Sequence, residues 1–283
     1  MIYLNNMSFG YNKRKPLFNG LDLKIEPGNI YGLLGKNGAG KTTLMKIIGG
    51  LLFPHGGEVE VMGYEPKHRH PDFLSQLYFV SEEIFTPSLK IASFTNVYAP
   101  FYPNFSEFDF YNYLTEFQID KEAKLTNLSY GQKKKVILSF GLATNTRLLI
   151  MDEPTNGLDI PSKSQFRRIL SSAINDDRTF IISTHQVRDM TNLIDPIIIL
   201  DESEILLQES LMSISQKLYF GIDHEMEESG DALFAERIAG GYQVVRPNTF
   251  NEESEVEMES LFNSVVGNKQ KIKELFKNEY HDA

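Results

Sequence analysis

Residues 35–42, Gly35-Lys36-Asn37-Gly38-Ala39-Gly40-Lys41-Thr42, fit the pattern G-x-x-x-x-G-K-[ST]. Glycines at this spacing let successive backbone N–H groups turn inward around phosphate oxygens, where a Cβ would obstruct them. The pattern works only between a strand and a helix, because the helix then presents its positive end to the same anion. Both flanks comply. Residues 30–34 (IYGLL) form a short apolar run that reads as a buried strand, and residues 44–48 continue as a helix. Lys41 has the reach for the β- and γ-phosphates, and the Thr42 hydroxyl can bind Mg²⁺. An ordinary glycine turn would account for the glycines but not for the lysine, the threonine and both flanks together.

A second apolar run, residues 148–151 (LLIM), ends in Asp152-Glu153. Alone it reads as a strand followed by a helix cap. Beside a phosphate loop, the two carboxylates supply what phosphoryl transfer to water requires. Asp152 would hold the Mg²⁺ shell, and Glu153 would polarise or deprotonate the attacking water. Residues 179–183 (TFIIS) lead into Thr184-His185, and residues 197–200 (IIIL) lead into Asp201. Helical stretches lie between these runs, and the alternation predicts a parallel sheet with crossover helices. Ligands of such sheets sit beyond the carboxyl ends of the strands, which is where these residues stand. Nearer the N-terminus, residues 1–4 and 21–25 alternate apolar and polar, with turn chemistry at Glu26-Pro27-Gly28. Gly56-Gly57 marks a turn before a strand over residues 58–62.

Further segments carry a family resemblance. Leu128-Ser129-Tyr130-Gly131-Gln132 resembles the LSGGQ signature of the nucleotide-binding subunits of ABC transporters. Asn156-Gly157-Leu158-Asp159 is similar to that family's D-loop, and Ser183-Thr184-His185 to its switch region. Tyr11 lies 24 residues before Gly35, at the place of the aromatic that stacks on adenine. The motifs occur in the family's order over about residues 1–210.

The resemblance implies an α/β fold: a P-loop NTPase (RecA-like) core with a parallel sheet, an antiparallel β portion and a helical subdomain over about residues 85–145. It implies an ATPase that uses ATP and Mg²⁺. Tyr11 would meet adenine, and Gly35, Lys36, Asn37, Gly38, Ala39, Gly40, Lys41, Thr42 and Thr43 would surround the phosphates. Thr42 and Asp152 would bind the metal, and Glu153, His185 and Lys41 would be catalytic. In the family, the signature of one subunit closes over ATP held by the other. Ser129, Gly131, Gln132 and Asp159 are therefore expected at a composite site. Two departures stand out. Tyr130 replaces the middle glycine of the signature. Ser81-Glu82-Glu83 stands where the family's Q-loop places glutamine, with Glu82 the best match by position; it has similar reach but no amide to donate.

The middle of the chain carries ten aromatics between Phe94 and Phe117, broken by Pro100 and Pro103. They read first as the core of short helices and second as a docking surface. Residues 101–105 (FYPNF) and the C-terminal extension resemble subunits of the ABC-2 exporter type. Residues 201–283 hold a net charge of −11 out of the chain's −10, leaving the first 200 residues at +1. Within that acidic segment, residues 218–222 and 242–245 read as strands. Residues 258–276 read as one amphipathic helix, so a folded α+β accessory extension is expected over residues 211–283. It could pack on its own motor domain or on a partner.

The chain has no cysteine, which excludes disulfides and thiolate metal sites. Residues 1–16 hold no apolar core of signal-peptide length, and no apolar run is long enough to span a bilayer. The expected place is therefore cytoplasmic, peripheral at the inner face of the cell membrane through an integral-membrane permease. With a single phosphate loop, two composite sites need a second ATPase subunit, arranged head to tail. The resulting reading is a transport ATPase, with export favoured over import by analogy. A soluble ATPase working on ribosomes or nucleic acid fits less well. Those relatives fuse two such domains or insert coiled coils, and an acidic chain repels phosphate backbones, so no nucleic-acid partner is expected. A non-catalytic nucleotide sensor is opposed by Lys41, Asp152, Glu153 and His185.

Overall fold

How many faces a strand must bury separates the strands of this chain into two kinds. β1 (Ile2–Phe9) and β2 (Phe18–Ile25) largely alternate buried and exposed residues, the mark of a sheet with one wet face. β3 (Ile30–Leu34) is buried at all five positions, as a strand lying between two layers must be. The computed structural model describes residues 1–12, 15–185, 193–224 and 231–277. After β3 the glycine loop leads into α1 (Lys41–Ile48). β4 (Gly56–Val61) then returns to β1, completing a three-stranded antiparallel sheet in the order β2-β1-β4.

The one-turn helix α2 (Pro71–Leu74) feeds β5 (Leu77–Val80), and the helical segment follows. α3 (Ile91–Tyr98), α4 (Glu107–Glu116) and α5 (Tyr130–Ala143) pack around Phe140. The rings of Phe94, Phe105 and Phe110 lie 5.0, 4.9 and 5.8 Å from it. Much of the aromatic run is thus core, at spacings where ring edges and faces attract. Phe101 and Phe108, by contrast, are exposed. Ser106 starts α4 by accepting from the Asp109 N–H at 3.2 Å.

Strand–helix alternation then resumes with β6 (Leu148–Asp152), α6 (Ile160–Ala173), β7 (Thr179–Thr184), β8 (Ile197–Asp201) and β9 (Glu204–Glu209). The central sheet has the order β5-β6-β7-β3-β8-β9, parallel except for β9, which runs antiparallel to β8. Register brings the carboxyl ends level: Leu34 pairs with Thr184, and Ser183 with Asp152. The loops after β3, β6 and β7 therefore open side by side. Buried Arg178 locks the opposite end. It donates to the carbonyls of Leu142, Thr146 and Ala173 and lies over the Phe180 ring at 4.9 Å. Burial pushes its guanidinium down to about 10.

The C-terminal lobe consists of α7 (Leu211–Lys217), β10 (Leu218–Asp223), β11 (Phe234–Ile238), β12 (Gly241–Pro247), α8 (Met258–Gly267) and α9 (Lys269–Leu275). Its strands form an antiparallel sheet in the order β10-β12-β11. The single helix expected over residues 258–276 is in fact two. Asn268 leaves helical geometry (φ −132°, ψ 47°), and its side-chain amide donates to the Leu233 carbonyl at 2.5 Å. Two strands, β9 and β11, are additions to the sequence reading. Within the chain the lobe packs on its own motor domain. α8 lies against β8 and β9, and one apolar core runs from Ile199 and Leu207 into Leu218, Val245 and Leu261.

Candidate active site

The glycine loop after β3 is shaped by close approach. Gly40 sits at φ +107°, and a Cβ there would lie 2.7 Å from the Phe18 ring; a side chain would be strained on both counts. Lys41 is buried, with Nζ donating to the carbonyls of Gly35 at 2.7 Å and Lys36 at 3.2 Å. The loop thus wraps its own ammonium. Burial lowers the pKa of Lys41, opposed by the nearby Glu153, Asp152 and Glu82 carboxylates.

Both oxygens of Asp152 are held. Thr42 Oγ1 donates to Oδ2 at 2.6 Å and Ser183 Oγ donates to Oδ1 at 2.5 Å. A hydroxyl and a carboxylate are the hard oxygen donors that Mg²⁺ takes, and Mg²⁺ fills the rest of its shell from phosphates and water. No group of three or more His, Cys, Asp or Glu side chains among the described residues could hold a metal by itself. The donor set thus fits a magnesium–nucleotide complex.

Glu153, the next residue, has φ +47°, a region that costs a non-glycine residue roughly 1–2 kcal/mol. Its N–H lies 3.2 Å from the Ser183 carbonyl and 3.1 Å from Ser183 Oγ. Its carbonyl accepts from Lys134 Nζ at 2.6 Å and from the Asn156 N–H at 3.2 Å. Its carboxylate lies 2.8 Å from His185 Nδ1. Lys134 is completely buried, and that burial pushes its ammonium down to about 8.

A cavity of about 390 Å³ is lined by Tyr11, Asn37, Gly38, Gly40, Lys41, Thr42, Thr43, Glu82, Asp152 and Glu153, with Leu17. The exposed Tyr11 ring meets Phe9 edge-on, and its hydroxyl lies 3.0 Å from Thr43 Oγ1. Glu82 Oε1 accepts from Asn156 Nδ2 at 3.1 Å. His185 reaches this group through Glu153. Lys36 turns away, with Nζ 3.7 Å from Asp201, and Gly35 and Ala39 lie outside the lining.

The signature residues are not brought to this cavity. Ser129 and Gln132 form a reciprocal capping box at the start of α5, with Ser129 Oγ accepting at 3.3 Å and Gln132 Oε1 at 2.9 Å. Gly131 lies beside the Gly157 carbonyl. Asp159 caps α6 by accepting from the Ser162 N–H at 3.0 Å. Tyr130 folds back on its own chain, donating from its hydroxyl to the Glu82 carbonyl at 2.8 Å.

Asn156 and Ser183 enter the sequence reading as members of the D-loop and switch segments, but the contacts of their side chains, and those of Tyr130 Oη and Lys134, are not foreseen there. Ser183 carried a signal, since it ends a strand that pairs beside the Asp152 strand. Lys134 carried none, because a lysine inside a helix reads as solvated.

Residues 18–156 match the ABC transporter family. The chain is 30% identical over 220 residues to a putative ABC transporter ATP-binding protein of Methanosarcina acetivorans, covering 74% of this chain and 77% of the other. It is 29% identical over 227 residues to the lantibiotic transport ATP-binding protein SrtF of Streptococcus pyogenes, covering 74% and 90%. With the Nod factor export ATP-binding protein I of Rhizobium meliloti it shares 28% over 251 residues, covering 78% and 73%. In fold it is similar to a dimeric, post-hydrolysis ATP-binding cassette bound to ADP and Pi. That likeness has a TM-score of 0.64 at 23% identity and covers 75% of this chain and 99% of that one.

Proposed function

Because the chain belongs to the ABC transporter ATP-binding proteins, we propose that it is the ATP-hydrolysing subunit of an exporter whose substrate path lies in a separate membrane permease. The observation that carries this reading is the convergence of Lys41, the Thr42–Asp152 pair and Glu153, itself held by His185, on one cavity edge. Tyr11 offers an exposed ring for a base. The loop N–H groups and Lys41 receive the phosphates, with Lys41 exchanging its carbonyl partners for phosphate oxygens. Thr42 and Asp152 would hold Mg²⁺, which when bound neutralises charge developing on the phosphates. Glu153 accepts the proton of the attacking water. His185 fixes the Glu153 carboxylate through Nδ1 and would meet the γ-phosphate from there. Lys41 stabilises the charge that moves to the leaving oxygen.

Ser129 and Gly131 stand outside their own cavity, so their contact with nucleotide needs a second copy arranged head to tail. The fold neighbour described as dimeric supports a second copy by likeness. No helix among the described residues is long and apolar enough to cross a membrane; the separate permease, and a peripheral, cytoplasmic place beside it, are read from the transport and export relatives. A groove of about 990 Å³ between the central sheet and the helical segment offers the docking face, with Phe85 and Phe101 exposed on it. Export rather than import is supported by the relative named for Nod factor export.

Glu153→Gln tests the chemistry. It is expected to bind MgATP normally, to lower turnover by about 10²–10⁴-fold, and to accumulate an ATP-bound dimer visible by size-exclusion chromatography. Near-normal turnover would remove Glu153 from the mechanism.

A further inference from the structure

We propose that Lys134 is a positioning residue for hydrolysis: it holds the Glu153 backbone so that the Glu153 carboxylate stays aimed into the nucleotide cavity. The proposal rests on the reading of Glu153 as the residue that accepts the water proton.

Three observations support it. Lys134 is fully buried, and its Nζ donates to the Glu153 carbonyl at 2.6 Å. Burying an ammonium is costly unless it is well partnered, and an apolar residue would satisfy packing alone at a position flanked by buried Val136 and Leu138. Next, Lys134 meets the carbonyl of Glu153 and leaves the carboxylate to His185. A lysine placed to neutralise Glu153 would meet the carboxylate instead. Finally, Glu153 sits at φ +47°, a conformation that persists only where the surroundings over-determine it. Ser183 holds the peptide on its N–H side, at 3.1–3.2 Å. Lys134 and the Asn156 N–H hold the peptide on its carbonyl side. Among the described residues, the carbonyl without Lys134 keeps only the 3.2 Å bond from Asn156, and Glu153 can leave its positive φ, a rotation about N–Cα that carries the carboxylate with it.

Lys134 also lies on α5, one turn beyond Tyr130, which donates to the Glu82 carbonyl. The helix that begins at Ser129 therefore grips two backbone carbonyls of its own chain's nucleotide cavity.

The test is Lys134→Met, which keeps the stem and removes the ammonium. The kcat for ATP is expected to fall about ten- to a hundredfold, the scale of a small displacement of a reacting group. KM and nucleotide Kd are expected to stay within about twofold. The second reading is made in the Glu153→Gln background by single-turnover hydrolysis. There Lys134→Met is expected to add no further loss, because the group it positions is gone, whereas a purely structural role would add its full cost again. Wild-type kcat in folded Lys134→Met, or full additivity in the double variant, overturns the proposal. Should Lys134→Met fail to fold, Lys134→Gln, which keeps an N–H donor on a shorter stem, is measured in the same way and is expected to have intermediate kcat. Loss of fold in both variants would make Lys134 structural and also overturn it. If Glu153→Gln itself retains turnover, the reading of the base falls; if Glu153→Gln is inactive while Lys134→Met runs at wild-type rate, only the role of Lys134 falls.

Discussion

In the nucleotide-binding region the residues with chemistry stand at strand ends and in the loops that follow: Lys41 and Thr42 after β3, Asp152 and Glu153 at the end of β6, His185 after β7. In the C-terminal lobe no phosphate-loop or switch motif occurs. Its contribution to the shared core is apolar side chains such as Leu218, Val245 and Leu261, and residues 211–283, with 14 acids against 7 bases, carry −7 of the chain's net −10. The two regions share one apolar core but depend on different physics. Strand-end side chains need a geometry within a fraction of an ångström, whereas core side chains need volume and burial. Substitutions should therefore dissociate, some removing turnover without stability and others the reverse.

The largest expected effect is on turnover. Ser129→Asp keeps a side-chain oxygen for the Gln132 N–H, so the cap of α5 survives. In a head-to-tail dimer it places a carboxylate against the partner's nucleotide phosphates. Like charges brought together at an interface cost several kcal/mol, so ATPase activity is expected to fall by about a hundredfold or more. Nucleotide binding by the single chain and its Tm should stay near wild type. Wild-type turnover would withdraw Ser129 from any trans site and leave the signature as a helix cap alone.

The next effect lies on the other side. Leu261 on α8 is fully buried. Leu261→Ala is expected to cost about 2–5 kcal/mol in unfolding free energy, read by denaturant titration, while nucleotide Kd and kcat measured below the transition stay near wild type. A proportionate loss of nucleotide affinity would show that the lobe shapes the cavity, and the separation of the two regions would fail.

Legibility in the sequence divides along similar lines. The phosphate loop, the Asp152-Glu153 strand end and His185 are contiguous signals, because a glycine pattern or an apolar run followed by a charge can be seen locally. β9 was missed because its apolar centre, Ile205-Leu206-Leu207, is only three residues long and flanked by Glu204 and Gln208-Glu209. β11 was missed because three of its five residues are exposed, so burial imposes no clear pattern. The break in the last helix was legible in principle, since Gly267-Asn268 is common helix-ending chemistry. Lys134 could not have been read. Its meaning comes from a carbonyl 19 residues away, and only the packing of α5 against the end of β6 brings the two together.

The smallest effect concerns the charged seam between the regions. From α9, Lys269 Nζ reaches Asp201 at 3.5 Å and Glu202 at 2.5 Å, while Lys36 of the phosphate loop reaches Asp201 at 3.7 Å. The Glu202 side chain is 78% exposed, so its pair with Lys269 contributes little against water and salt. Asp201 is different. It is buried, and a buried carboxylate that loses its partners is costly. Lys269→Met leaves Asp201 with Lys36, so the expected loss is about 1 kcal/mol or less, shrinking as salt is raised to about 1 M. The check is the difference in unfolding free energy between wild type and variant at low and high salt. A salt-independent loss of about 3 kcal/mol or more would mean that Asp201 relies on the lobe for its counter-charge and that Lys36 does not compensate. The seam would then tie the C-terminal lobe directly to the phosphate loop, and the lobe would have to be treated as part of the nucleotide site's electrostatics.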